Sequence, residues 1–366
     1  MSINSDKICA SVYGCPSNIA DYEIALGLLK QAGFEIVGSP QKSDLNIIFT
    51  CIVKNPTEQR MIQKIQELTR IGKPLIAAGC MPKTSQRAIE EINPGASLIG
   101  PDSIGHIVDA ARAALEGKKV IFASDERKPK LSLPRVRKRE KVSIVPISIG
   151  CLSNCSYCAI KFARGKLASY PIEKIVEEVR SSVASGCKEV WLSSQDNSCY
   201  GLDIGTNLAI LLKEVCKISD DFKIRVGMMN PMHVKDAKML SELIEAYKNE
   251  KIIEFLHLPV QSGSNRILKL MKRGYTVAEF EKIVGQFKKE IPDLFLSTDI
   301  IVGFPSENEK DFQATVALLK KIKPDKVNIS KFGARPGTEA AKMKQSPTKT
   351  INERSKILHS FIFSSS

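Results

Sequence analysis

The sequence predicts an α/β protein, an open parallel sheet domain followed by a full or partial β/α barrel. Two observations predict it. Short apolar runs of strand length alternate with helical patterns almost throughout, as parallel strands joined by crossover helices require. The alternation breaks once, between Glu126 and Lys141, where a basic stretch interrupted by Pro129 and Pro134 reads as a connector. At 366 residues the chain is long enough for two hydrophobic cores.

In the first part, strands are expected at Ile8 to Tyr13, Leu45 to Thr50, Pro74 to Ala78 and Ser97 to Gly100. Helices are expected at Ile19 to Ala32, Pro56 to Ile71, Lys83 to Ile92 and Ile107 to Leu115, with Pro56 and Pro82 near positions where a helix can start. After the connector, strands are expected at Ser143 to Ile149, Glu189 to Ser193, Lys223 to Gly227, Ile253 to Leu258, Leu294 to Ile301 and Lys326 to Lys331. Helices fall between them at Glu173 to Ser185, Leu208 to Ile218, Lys235 to Tyr247, Val277 to Glu290 and Lys310 to Lys321. Right-handed crossovers between successive parallel strands curl such a run into a barrel. The domains are therefore expected at 1–117, 142–335 and a tail at 336–366, with the basic linker at 118–141.

Composition narrows the function. The chain has 54 Lys and Arg against 40 Asp and Glu, a net charge of +14 that favours a polyanionic partner without naming one. No apolar run approaches the roughly 20 residues of a membrane helix, and Met1 to Lys7 lacks a signal-peptide pattern, so a cytoplasmic protein is expected. Thiols stay reduced there, so clustered members of the ten cysteines point to metal binding or redox chemistry rather than disulfides.

The sharpest motif is Cys151-Leu152-Ser153-Asn154-Cys155-Ser156-Tyr157-Cys158, placed just after a predicted strand. Three thiolates on one loop can hold three irons of a four-iron cluster and leave the fourth open to a ligand. Zinc is the alternative, yet zinc motifs usually show a distant second pair, and none follows here. Three further cysteines, Cys15, Cys51 and Cys80, each stand where a predicted parallel strand ends. Strand ends share one edge, the crevice in which open α/β sheets bind ligands. Each alone reads as a core cysteine; the shared placement separates the set from that reading. Cys9, Cys187, Cys199 and Cys216 read as packing residues, and Trp191 as core.

The CxxxCxxC loop with Tyr157 before its last cysteine resembles the radical S-adenosylmethionine superfamily. That resemblance implies that S-adenosylmethionine chelates the open iron. It further implies that Ser194, Gln195 and Asp196 bind the methionine amino group. By the same resemblance the adenine would be contacted from the Asp299 to Glu307 segment, including Val302 and Gly303, and Arg273 would reach the cofactor carboxylate, with a solvated helix-end arginine as the other reading. Joined to a first domain bearing Tyr13-Gly14-Cys15, Thr50-Cys51 and Gly79-Cys80-Met81-Pro82, the barrel is similar to the methylthiotransferase family. Ala163 to Pro171, Arg225 to Pro231, His257 to Ser264 with Gln261, and Phe332 to Thr338 resemble its archaeal and eukaryotic subgroup. The subgroup acts on N6-threonylcarbamoyladenosine next to the anticodon of transfer RNA.

What the resemblance implies is a second [4Fe–4S] cluster on Cys15, Cys51 and Cys80, serving sulfur transfer, beside a radical-generating cluster on Cys151, Cys155 and Cys158. An aromatic C–H offers no acidic proton, so a cofactor must do the hard step. The family's small C-terminal RNA-gripping barrel is expected to be absent. Arg127, Lys128, Lys130, Arg135, Arg137, Lys138, Arg139 and Lys141 then stand as the densest basic segment for RNA phosphates, with a solvated connector as the other reading. Sister substrates, an isopentenyl-modified adenosine or a ribosomal-protein aspartate, share the cysteine spacing, and a zinc-containing RNA-binding protein without activity is the reading from another class. The electron donor is not assigned by sequence.

Overall fold

The computed structural model describes residues 5–53, 55–124 and 127–363; Lys54, Glu126 and the terminal Ser364, Ser365 and Ser366 lie outside them. The chain forms two compact units, Met1–Pro146 with Ala159–Gly165, and Ile147–Cys158 with Lys166–Ser366.

In the first unit, strands β1 (Lys7–Val12), β2 (Glu35–Ile36), β3 (Leu45–Thr50), β4 (Leu75–Gly79), β5 (Ser97–Ile99) and β6 (Ile121–Phe122) form one parallel sheet in the order β2-β1-β3-β4-β5-β6. Helices α1 (Pro16–Gln31), α2 (Asn55–Arg70), α3 (Met81–Thr84), α4 (Gln86–Ile92) and α5 (Ile107–Leu115) cover it. Every residue of β3 and β4 is buried, which is why these strands read as continuous apolar runs. Successive side chains point to opposite faces. Ile47 and Phe49 join Ile24, Leu29 and Ile107 on one face, while Ile48 joins Met61, Ile65 and Ile89 on the other.

Helix α1 starts at Pro16, three residues before the expected Ile19, because Cys15 serves as N-cap and proline fits the first helical turn. The helix expected from Lys83 to Ile92 is split at Ser85, which has φ −140°. The unit ends with β7 (Val142–Pro146) and takes in the short α6 (Ile160–Arg164), whose Ala163 packs with Ile65 and Ile89.

The basic stretch lies against α1 instead of hanging free. A Cβ on Gly27 would come 2.2 Å from the Pro134 carbonyl oxygen, so only glycine admits this approach. Val136 N–H donates to Glu23 O, and Lys138 N–H to the Glu23 carboxylate, both at 2.9 Å.

The second unit opens with the pair β8 (Ser148–Ile149) and β9 (Ala168–Ser169), which are antiparallel. Helix α7 (Ile172–Ala184) leads to β10 (Glu189–Ser193), α8 (Leu208–Cys216) to β11 (Lys223–Val226), and α9 (Ala237–Tyr247) to β12 (Phe255–His257). Two helices, α10 (Asn265–Leu270) and α11 (Val277–Glu290), precede β13 (Phe295–Val302), and α12 (Glu309–Ile322) precedes β14 (Lys326–Lys331). Strands β10 and β11 pair in parallel, as do β12, β13 and β14, and a parallel bridge from Ile224 to Ile252 links the two groups. Consecutive parallel strands joined through helices are the plan of a partial β/α barrel. Helix α13 (Thr348–Phe363) closes the unit. No helix among the described residues is long and apolar enough to cross a membrane.

Candidate active site

Strands β1, β3 and β4 are neighbours in the first sheet, so Cys15, Cys51 and Cys80 leave it side by side. Backbone bonds fix their spacing: Tyr13 N–H donates to Phe49 O at 3.3 Å and Cys80 N–H to Thr50 O at 3.1 Å. The Thr50 hydroxyl donates to Ala78 O at 2.7 Å and accepts from Met81 N–H at 3.2 Å. Two glycines allow the crowding. Gly14 (φ +108°) would bring a Cβ within 2.4 Å of Cys51 Cβ and 2.6 Å of its Sγ, and Gly79 (φ +94°) would press one to 2.5 Å from Thr50 O.

Cys51 and Cys80 are buried and Cys15 partly so. A hydrogen bond from Cys51, with Arg164 facing it, lowers the Cys15 thiol to about 6. Cys51, the donor in that pair, is raised. Burial raises Cys80, against the opposing pull of the Arg164 charge. Arg164 itself belongs to this unit and pairs with Asp21, Nη2 to Oδ2 at 2.8 Å; the other Asp21 oxygen holds Lys130 Nζ at 2.5 Å.

In the second unit, Gly150 N–H donates to Gln195 Oε1 at 2.6 Å, fixing the start of the cysteine loop to the end of β10. Cys151 Sγ accepts from Ser153 N–H at 3.3 Å and lies 3.8 Å from Asp196 Oδ2. Its thiol is lowered by a hydrogen bond from Cys199, which is raised in turn. Asp196 is buried, its Oδ1 accepting from Ser198 N–H and Asn230 N–H, both at 3.0 Å, while Oδ2 faces His233 at 3.6 Å. Across the loop Arg273 Nη1 reaches Cys155 Sγ at 3.4 Å, and its Nη2 donates to Pro259 O at 2.9 Å. The middle of the loop is tied by Ser156 N–H to Met271 O at 3.1 Å and Ser156 Oγ to Leu270 O at 2.8 Å. Tyr157 packs edge-on against Phe304, and burial raises its hydroxyl well above the usual range.

The structure thus brings Gln195 and Asp196 to one side of the loop and Arg273 to the other. Ser194 donates to Asn197 Oδ1 at 2.5 Å. Gln261 (φ +71°) bridges to β13 through Asp299 O at 2.8 Å and Ile301 N–H at 3.0 Å. Val302 is buried with its carbonyl accepting from Phe332 N–H at 2.9 Å, and Gly303 N–H is held by Glu307 at 2.8 Å. Ser194, Gln195, Asp196, Gln261, Val302 and Gly303 stand at or beyond the C-terminal ends of strands, where barrel enzymes collect their working groups, while Arg273 follows helix α10. Sequence reasoning missed Cys199, which it assigned to packing; the structure sets its thiol against Cys151. It also missed the buried set of Arg164, Asp21 and Lys130.

The donor sets fit polynuclear iron–sulfur groups better than single ions. Tetrahedral zinc, with Zn–S of about 2.3 Å, draws its sulfurs to about 3.8 Å from one another. Among the described residues the one set of three His, Cys, Asp or Glu groups with ligand atoms within 4.8 Å is Cys151, Asp196 and Cys199, so neither cysteine triplet is drawn in around one ion.

Residues 145–319 match the radical SAM superfamily, and residues 7–100 match uncharacterized protein family UPF0004. A protein of Pyrococcus abyssi named probable threonylcarbamoyladenosine tRNA methylthiotransferase is 51% identical over 356 residues, covering 96% of this chain and 83% of that protein. The chain belongs to the threonylcarbamoyladenosine tRNA methylthiotransferase family. A human member, named without the qualifier, is 37% identical across 97% of this chain and 63% of its own length. The radical SAM methyltransferase TsrM of Kitasatospora setae shares the fold, with a TM-score of 0.65 at 14% identity over 92% of this chain and 77% of its own. OxsB, a cobalamin-dependent radical enzyme, matches at 0.62 and 12% over 97% of this chain and 55% of its own. As a radical SAM enzyme of this family the chain uses S-adenosylmethionine and [4Fe–4S] clusters, two of them.

Proposed function

We propose that this enzyme converts N6-threonylcarbamoyladenosine at position 37 of transfer RNA, beside the anticodon, to its 2-methylthio derivative. The observation that carries the reading is the pair of cysteine triplets. One stands on a braced loop at the barrel's strand ends, the other on three neighbouring strand ends of a parallel sheet, in a chain 51% identical to a protein named for this activity. Cys151, Cys155 and Cys158 would hold one cluster, with Tyr157, Ser194, Gln195, Asp196, Gln261, Arg273, Val302 and Gly303 around S-adenosylmethionine. Cys15, Cys51 and Cys80 would hold the other.

With S-adenosylmethionine, the first cluster supplies a carbon radical able to take hydrogen from an unactivated C–H. The protein's part is orientation and exclusion of water. Gln195 grips the start of the loop and Arg273 its middle, and buried Asp196 fixes the Cys151 side through Ser198 and Asn230. Buried Arg273, which donates to Tyr275 Oη at 3.1 Å and to Cys155 Sγ at 3.4 Å, places a permanent positive charge beside a thiolate ligand. The net charge of +14 suits transfer RNA, and ten free thiols suit the reducing cytoplasm. Mass spectrometry of transfer RNA nucleosides from a deletion strain tests the reading. Loss of the 2-methylthio derivative with accumulation of its threonylcarbamoyl precursor is expected; an unchanged profile, or loss of a methylthio isopentenyl nucleoside, overturns it.

A further inference from the structure

Helix α13 lies against the turn that leaves β13. Ile351, Arg354, Ser355 and Leu358 share one face of it at the i, i+3, i+4 and i+7 spacing, and the last three are buried. Arg354 stands out among them, an arginine side chain 6% exposed opposite a Glu307 side chain 2% exposed. Its Nη1 donates to Glu307 Oε2 at 2.7 Å and to Glu307 O at 3.0 Å. The same carboxylate oxygen accepts from Gly303 N–H at 2.8 Å. One carboxylate therefore joins the helix to the residue that follows β13. The neighbouring buried carboxylate has a cation of its own, with Arg266 Nε 3.3 Å from Asp311 Oδ1, so Arg354 is the charge that compensates Glu307. A buried carboxylate that loses its partner is strongly unfavourable, and it turns to water or takes up a proton. Either way it holds Gly303 less firmly. Two further contacts bear on the same turn. Gly303 has φ +73°, and a Cβ there would come 2.3 Å from Ile351 Cγ1, so the helix seats on bare backbone. Ser346, just ahead of the helix, donates to Phe304 O at 3.2 Å, and buried Phe304 meets Tyr157 of the cysteine loop edge-on.

We infer that helix α13 braces the adenine end of the S-adenosylmethionine site, with Arg354 a positioning residue that acts through Glu307 on the Val302 and Gly303 backbone. Ile351 holds the same turn directly. The inference rests on the reading that Val302 and Gly303 lie against the adenine. Backbone groups recognise a base only while they keep their direction, and a site competent in a fraction of molecules binds more weakly by that fraction. A turn held in about one molecule in ten would raise the apparent Kd about tenfold.

The test uses the full chain, reconstituted anaerobically with iron and sulfide, as wild type, Arg354→Gln, Arg354→Lys and Ile351→Ala. Equilibrium dialysis reads S-adenosylmethionine affinity, amide hydrogen exchange reads the backbone at 302–307, and electron paramagnetic resonance of the reduced cluster reads binding of methionine alone. In Arg354→Gln the S-adenosylmethionine affinity is expected to fall about tenfold and exchange at Gly303 to quicken, while methionine affinity stays at its wild-type value. Arg354→Lys, which returns a cation to Glu307, should recover most of the loss, and Ile351→Ala should show a smaller loss of the same kind. Wild-type affinity in folded Arg354→Gln overturns the inference. An equal loss for S-adenosylmethionine and methionine overturns it too, by reducing Arg354 to a scaffold ion pair. If Arg354→Gln fails to fold, Ile351→Ala decides, and wild-type affinity and exchange in that variant overturn the brace. A wild-type protein in which S-adenosylmethionine leaves exchange at 302–305 unchanged overturns the underlying reading instead, so the two failures are told apart.

Discussion

Gly14→Ala tests the strand-end cluster most sharply, because the geometry separates two costs. At φ +108° the added methyl group is in a backbone region that a side chain rarely adopts, worth about 1–3 kcal/mol. It also meets Cys51 Cβ at 2.4 Å and Sγ at 2.6 Å, inside any tolerable contact, and overpacking of that kind typically adds about 1–3 kcal/mol. Gly33 provides the control, since at φ +92° its added methyl would meet nothing within 4 Å and only the backbone cost applies. Anaerobic urea unfolding of the apo proteins should therefore place Gly14→Ala below Gly33→Ala by about 1–3 kcal/mol, the contact cost alone. Both totals lie within the about 5–15 kcal/mol of an ordinary domain, so the fold should survive. Displacement of Cys51 should cost Gly14→Ala the iron of one cluster and all methylthio product, while Gly33→Ala keeps both. A Gly14→Ala protein with full iron and wild-type product would refute the claim that Cys51 is held in place by this contact.

Single Ala variants of Cys151, Cys155 or Cys158 are expected to abolish 5′-deoxyadenosine formation with dithionite, whereas Ala variants of Cys15, Cys51 or Cys80 should retain it and make no methylthio product; the reverse pattern would exchange the two assignments. Gln replacement of Lys138, Arg139 and Lys141 together should weaken transfer RNA binding and flatten its salt dependence. Each lost single-strand phosphate contact removes about 0.7 from the slope, so roughly 2 is expected from three contacts. An unchanged slope in filter binding would leave the stretch as a connector.

The alternating apolar pattern made most of both units legible. Strands β3, β10 and β14 and helices α5 and α11 begin and end where the pattern places them, because buried parallel strands and amphipathic helices write their burial directly into residue order. The gathering of Cys15, Cys51 and Cys80 on neighbouring strand ends was legible for a related reason: a residue at the end of a parallel strand is tied to a periodic element. Helices α6 and α10 escaped notice, at five and six residues too short to show a period of 3.6. Cys199 escaped because its role depends on the 3₁₀ turn at Asn197–Cys199 that follows β10, a structure with no apolar signature.

The basic stretch shows why composition misleads where periodicity does not. Lysine and arginine are read as surface by default, since a buried charge is costly without a partner. Residues of this stretch nevertheless have partners that lie far away in sequence or on the backbone. Lys130 pairs with Asp21, 109 positions earlier, and Arg135 gives its two terminal nitrogens to Ile144 O at 2.8 Å and Lys130 O at 3.2 Å. Arg135 therefore serves the fold, and removing it with Arg137, Lys138 and Arg139 would confuse lost RNA contacts with lost structure. Exposed Lys138, Arg139 and Lys141 separate the two effects. The same physics applies to Arg164, a cation that the fold buries against the Asp21 carboxylate at 2.8 Å, trading its hydration for that partner.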